Sequence, residues 1–178
     1  MLRVLRFLRL VMIFAGVAVA AAWFAAQSGN EITGFARVLD GDSIVIGGRE
    51  MRLEGIDAPE GKQLCTRSID NQQYQCGQQS RDWLKKLISG NEIKCEGWEE
   101  DKYQRLLVTC WRGKVDLNRK MVRDGWAVSF GLYEGEELAA RGEGKGLWQG
   151  DFQRPRQWRD NERNDPGLLD AVVKFFGF

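Results

Sequence analysis

Met51-Arg52-Leu53-Glu54-Gly55-Ile56-Asp57-Ala58-Pro59-Glu60 is the stretch on which the reading of the fold turns. Glu50 to Ile56 returns from a hairpin whose turn is Gly47-Gly48 and whose first strand is Ser43 to Ile46, Ser-Ile-Val-Ile. Pro59 ends the returning strand, because proline cannot donate to a ladder. Upstream, Ile32 to Leu39 alternates loosely and stops at the turn Asp40-Gly41-Asp42. These are three short strands in a meander, and both acidic turns, Asp40–Asp42 and Asp57–Glu60, can lie near one mouth of it.

Further on, Cys76 to Ile88 reads as a helix, with Trp83, Leu84, Leu87 and Ile88 at helical spacing and Gly90 as its stop. Asn91 to Trp98 and Leu106 to Trp111 read as strands flanking a charged loop, Glu99 to Arg105. Leu117, Met121 and Val122 mark a second helix with Asp116 as its cap, and Glu134 to Arg141 a third. Five strands and three helices are too few strands for a sandwich and suit a small closed barrel with helical decoration, an α+β arrangement. With 43% hydrophobic and 29% charged residues, a chain of 178 residues has the composition of one modest globular domain with extensions.

The extensions lie at both ends. Arg3, Arg6 and Arg9 are the only charges in residues 1–30, and Leu10 to Ala26 is an unbroken run of small and apolar residues. A basic start before an apolar run is an export signal, cleaved after Ala22 or retained as a membrane anchor. Either outcome carries residues 31–178 out of the cytoplasm, to a periplasmic, membrane-anchored or secreted location. Residues 151–178 form a polar, arginine-rich extension ending in a hydrophobic helix around Leu168, Leu169, Val172, Val173, Phe175 and Phe176. Docking on its own domain, contact with a membrane and binding of a partner are the three roles open to it.

Without the three leading arginines, 23 basic residues face 25 acids, so no polybasic coat is present and any nucleic-acid contact rests on a few placed cations. Four cysteines in an oxidising compartment imply two disulfides out of three possible pairings. Cys65–Cys76 would close a short polar loop and Cys95–Cys110 would cross the predicted hairpin. A zinc site is disfavoured by the lack of Cys-x-x-Cys and of any histidine. The absence of histidine also excludes Ser-His-Asp and Cys-His machinery and histidine-dependent nucleases.

Hydrolysis on this chain would therefore need carboxylates, a metal and arginines. Asp42, Asp57 and Glu60 repel one another unless a cation joins them, and oxygen ligands without nitrogen or sulfur select Ca²⁺ or Mg²⁺. Glu60 is the carboxylate best placed to activate a water. Arg52 precedes Asp57 by five residues, an odd spacing that puts the two on opposite faces of a regular strand; a bulge near Glu54-Gly55 would bring them together. Arg105 closes the charged loop, and two guanidinium groups can grip a phosphate and stabilise its pentacoordinate state.

Asp40-Gly41-Asp42-Ser43, the Met51–Glu60 stretch and Asp101-Lys102-Tyr103-Gln104-Arg105 resemble the staphylococcal nuclease family in order and spacing. The likeness runs on through Asp116-Leu117-Asn118, Gly125-Trp126-Ala127 and Gly146-Leu147-Trp148, covering roughly 32–150, and its exported bacterial branch is the nearest in character. The resemblance implies a five-stranded OB-fold barrel with three helices and Ca²⁺-dependent hydrolysis of DNA or RNA, with a single strand favoured, by a monomer. It implies Asp42, Asp57 and the carbonyl of Ala58 as calcium ligands, Glu60 as base, and Arg52 and Arg105 on the phosphate. Lys102 and Tyr103 would flank the nucleotide. The family's stacking tyrosine falls near Phe130 or Gly131, with Tyr133 as substitute, and the glycine usual before the second arginine is Gln104. The competing expectation is a weakly active or inactive binding module with a role in envelope or polymer assembly.

Overall fold

The structure, a computed structural model, describes residues 2–26 and 30–163. The chain divides into two compact units, 1–31 and 32–178. In the first, α1 (Leu2–Ala26) is one helix whose described side chains, Arg9 to Ala21, are all exposed. Among the described residues no helix is long and apolar enough to cross a membrane. The hydrophobic helix expected around residues 168–176 lies outside the described residues.

The second unit is built on a mixed sheet. Its strands are β1 (Asn30–Phe35), β2 (Arg37–Val38), β3 (Ser43–Ile46), β4 (Arg49–Leu53), β8 (Glu92–Gly97), β9 (Leu106–Arg112) and β10 (Val115–Asp116). The ladder runs β1-β8-β9-β4-β3-β2, with β10 on β9. β4 and β9 are parallel, Met51 opposite Leu106; β2–β3, β3–β4, β8–β9 and β9–β10 pair antiparallel. Two small sheets complete it. β5 (Ile56–Asp57) pairs with β11 (Val128–Ser129), and β6 (Cys65–Arg67) lies between β7 (Gln73–Tyr74) and β12 (Gly150–Asp151).

The α+β class expected from the sequence holds. β1 and β2, the two ends of the ladder, are consecutive in the chain, separated only by Ala36. The described residues contain five α-helices: α1, α2 (Cys76–Ile88), α3 (Leu117–Arg123), α4 (Glu134–Gly142) and α5 (Pro155–Arg163).

Alternation explains the core. β9 buries Leu106, Val108 and Cys110 and β8 buries Ile93 and Cys95, every second residue. With Ile44, Met51, Leu53 and Ile56 they meet Leu84 and Ile88 of α2 and Leu117 and Met121 of α3. Asp116 caps α3 by accepting from the Arg119 N–H. Both expected disulfides are present. Cys95 and Cys110 stand opposite each other across β8 and β9, and Cys65–Cys76 ties β6 to the first residue of α2.

The break in the Met51–Glu60 stretch positions the site. β4 ends at Leu53 and β5 begins at Ile56; between them Gly55 takes a φ of +73°, a left-handed value that disfavours any Cβ, and a Cβ there would also strike the Leu132 side chain. The break is held from below by buried Asn118 of α3. Its Nδ2 donates to the carbonyls of Glu54 (3.0 Å) and Val108 (2.9 Å), and its Oδ1 accepts from the Cys110 N–H (3.1 Å).

Candidate active site

The change of direction at Gly55 brings Arg52 and Asp57 to the same side. Arg52 Nη2 lies 2.8 Å from Asp57 Oδ1 and 2.8 Å from Asp42 Oδ2. The bulge considered from the odd spacing is thus a break in the strand, and it overrides the period of two. Asp42 reaches the cluster from the turn before β3, where Ser43 pairs with Arg52. Its own N–H donates to Asp40 Oδ1 at 3.0 Å, which fixes that turn.

Asp42 and Asp57 are almost wholly buried, 3% and 2% exposed. Asp42 accepts from Arg52, from the Ala58 N–H at 3.0 Å and from Ser43 Oγ at 3.1 Å. Burial nevertheless pushes its carboxyl up to about 8, with the nearby Asp40 charge adding to burial and the Arg52 guanidinium and Ala58 N–H opposing it. Ala58 itself is buried beside these carboxylates.

Glu60 sits at the rim, its side chain one-third exposed. Its backbone is clamped. Gln63, fully buried, returns its N–H to the Glu60 carbonyl (2.8 Å) and its Oε1 accepts from the Glu60 N–H (3.3 Å). The first turn of α2 presses so closely on this loop that a Cβ on Gly77 would come within 1.8 Å of the Glu60 carbonyl oxygen.

Arg105 is held by its own loop, just before β9, the neighbour of β4. Asp101 Oδ2 accepts from its Nε (2.9 Å) and Nη2 (2.7 Å), while Asp101 Oδ1 takes the backbone N–H groups of Tyr103 (2.8 Å) and Arg105 (3.0 Å). Lys102 and Arg105 both lie over the Tyr103 ring. Gln104, where the resembled family has glycine, stands at a φ of +64°, so the loop keeps the conformation glycine would favour.

These groups share one cleft of about 1030 Å³. Arg52, Asp57, Glu60, Lys102, Tyr103 and Arg105 all line it, while Asp42 lies beneath, reached through Arg52. Tyr133 is not among its lining residues: its hydroxyl points to Asp116 Oδ2 (3.4 Å) and Arg119 covers its ring. Phe130, 56% exposed, is the aromatic residue at that place in the cleft.

A metal is tested by the donors present. Asp42 and Asp57 are buried oxygen ligands, no histidine or cysteine thiol is near, and each carboxylate of the set already receives a guanidinium that stands in for a cation. This chemistry fits a hard divalent cation, although among the described residues no group of three or more ligating side chains is drawn together in metal-binding geometry.

One functional candidate had no individual signal in the sequence. Arg159, on α5, donates from Nη1 to Glu60 Oε1 (2.8 Å) and from Nη2 to both oxygens of Asp57 (3.0 and 3.1 Å). The only hint is the spacing of Arg156, Arg159 and Arg163, one stripe of a helix.

Residues 50–150 match the family model described as staphylococcal nuclease homologue. Over 134 residues the chain is 37% identical to the succinoglycan biosynthesis protein ExoI of Rhizobium meliloti (strain 1021), covering 70% of this chain and 68% of that protein. It is 33% identical over 135 residues to an uncharacterized endonuclease of Escherichia coli O157:H7, covering 69% of this chain and 81% of that one. It is 28% identical over 130 residues to the probable staphylococcal-like nuclease CAN2 of Oryza sativa subsp. japonica, 69% of this chain but 32% of that longer protein. With a family match over more than half its length, the chain belongs to the staphylococcal nuclease homologue family.

Proposed function

We propose that this protein is an exported, calcium-dependent phosphodiester hydrolase acting on DNA or RNA. The observation that carries the reading is that Arg52, Asp57, Glu60 and Arg105 line one cleft, with Asp42 beneath it on Arg52 and Arg105 just before β9, the strand paired with that of Arg52. In this reading Asp42, Asp57 and the Ala58 carbonyl hold the cation, which offsets phosphate charge and orients the attacked group. Glu60 takes the proton of the attacking water. Arg52 and Arg105 pair with the scissile phosphate and favour its more highly charged pentacoordinate state. Lys102, Tyr103 and Phe130 hold the nucleotide, and the open, aromatic-lined cleft suits a single strand better than a duplex. The enzyme works as a monomer. The basic-then-apolar start and the two disulfides support export to an oxidising compartment, with α1 as the signal.

The test is cleavage of single-stranded DNA by the full chain in Ca²⁺ and in excess EGTA, beside Glu60→Gln. Calcium-dependent cutting that the variant loses by several decades is the expected result. Full activity in EGTA would remove the metal, and near-wild-type cutting by the variant would remove Glu60 as base. A second reading is favoured by the likeness to a protein named for succinoglycan biosynthesis and by the guanidinium lying on Glu60: a weakly active or inactive module with an envelope or polymer-assembly role. No cutting by a folded wild-type chain would select it.

A further inference from the structure

The cleft is lined by Lys102, Tyr103 and Arg105, and also by α5 through Arg156, Trp158 and Arg159. The root of α5 is built into the domain. Gly150 and Asp151 pair with Arg67 and Thr66, Gln63 Nε2 donates to the Gln153 carbonyl at 2.7 Å, and Pro155 is buried. Gln63 is also the residue that clamps the Glu60 backbone, so one buried side chain fixes the spacing between Glu60 and the start of the helix.

We propose that α5 is a second nucleic-acid-binding wall, in which Arg159 leaves Asp57 and Glu60 to a divalent cation and takes a backbone phosphate of the bound strand, with Trp158 stacking on a base. The proposal rests on the hydrolase reading given above. Three carboxylates, Asp42, Asp57 and Glu60, share two guanidinium groups, Arg52 and Arg159. A dication added to that set makes one of the two redundant. Arg52 is the more enclosed, 21% exposed against 30% for Arg159, and it bridges the two buried aspartates from within the sheet. Arg159 is therefore the group that yields. It also covers an oxygen of Glu60 that must be free to receive a proton from water.

Once released, Arg159 keeps its charge inside the cleft, where Asp101 already pairs with Arg105 and Asp160 with Arg163. A phosphodiester entering the cleft supplies the anion, and a guanidinium binds it through two N–H groups. Tyr103, Phe130 and Trp158 line the cleft on the way, so bases meet rings while phosphates meet arginines, the pattern of a single-strand groove.

The test uses the full chain with Arg159→Gln, Arg159→Lys and Trp158→Ala. Calcium affinity is measured by titration calorimetry without nucleic acid. Binding of a 5′-fluorescein single-stranded oligodeoxynucleotide is measured by anisotropy in Ca²⁺ at several salt concentrations, in the Glu60→Gln background. Arg159→Gln is expected to bind Ca²⁺ several-fold more tightly and the oligonucleotide about tenfold more weakly, with the salt slope reduced by about 0.7. Arg159→Lys should keep the slope, and Trp158→Ala should weaken binding without altering it. Unchanged or tighter oligonucleotide binding by Arg159→Gln makes α5 a plug and overturns the proposal, as does calcium affinity that is unchanged or lower. Should Arg159→Gln fail to fold by circular dichroism, Arg159→Lys and Trp158→Ala decide: a lost slope in the first, or full binding in the second, overturns it. Failure of the hydrolase reading is seen separately, as absence of cutting by the wild-type chain.

Discussion

The Asp101 carboxylate grips the Arg105 guanidinium through one oxygen and the backbone of the same loop through the other. Burial pushes the Asp101 carboxyl up, but the N–H and guanidinium of Arg105 and the Tyr103 N–H outweigh it and hold it below its ordinary value of 3.8. A carboxyl depressed in the folded state adds stability above that ordinary value and loses it as pH falls further. Asp101→Asn should cost about 1–2 kcal/mol at neutral pH, and the difference from wild type should shrink below pH 3.8. Urea unfolding at pH 7 and pH 3 checks this; a constant gap would show that the charge of Asp101 is not what orders the loop.

Gln104 sits between these anchors at a φ of +64°, with its N–H on the Asp101 carbonyl at 2.9 Å. A side chain in that region costs about 1 kcal/mol that glycine avoids. Gln104→Gly should therefore raise stability by only about 0.5 kcal/mol, less than the full strain because glycine also loosens the unfolded chain. A fall in the urea midpoint would mean that the Gln104 side chain makes a contribution larger than its strain.

Much of this architecture was legible because it is local. The helix over Cys76 to Ile88 follows from four apolar residues at helical spacing, and Asp116 caps its helix as its residue type demands. The disulfide Cys95–Cys110 follows from two strands flanking one loop. Arg52 resisted reading because a period of two assumes an unbroken strand, and nothing local says that Asn118, sixty-four residues on, holds the break at Glu54 open. Arg159 was harder still. Its partner Glu60 lies ninety-nine residues away, and an arginine stripe on a polar helix looks the same whether it faces water or carboxylates. The expected barrel closure is a matter of how the ends of the sheet meet, which strand periodicity does not encode.

Asn118 gives that long-range dependence a test. Removing its amide takes from the Glu54 carbonyl and the Cys110 N–H the bonds that Asn118 makes to them. Asn118→Ala should cost about 2–3 kcal/mol. Because the break sets the meeting of Arg52 with Asp57, turnover should fall as well, measured well below the lowered melting temperature. Loss of stability with full turnover would mean that the Arg52–Asp57 pair holds the break without help from below.

The two disulfides separate stability from activity. They close loops of similar length, Cys65–Cys76 with a separation of 11 and Cys95–Cys110 with 15, so loop-closure entropy assigns each about 3 kcal/mol. Their surroundings differ. Cys95–Cys110 staples a ladder already paired on both sides of the bridge, with Lys94 opposite Trp111 and Glu96 opposite Thr109. Cys65–Cys76 lies beside the Gln63 clamp: Cys65 is two residues beyond Gln63, and the Gln63 carbonyl lies 3.4 Å from Cys76 Sγ. Opening that bridge loosens the loop that fixes Glu60 and the root of α5. Replacing each pair by serine should lower stability by similar amounts, yet only the Cys65/Cys76 variant should lose most of its turnover at a temperature where both are folded. Equal turnover in the two variants would show that Gln63 and the close packing at Gly77 position Glu60 without the covalent tie.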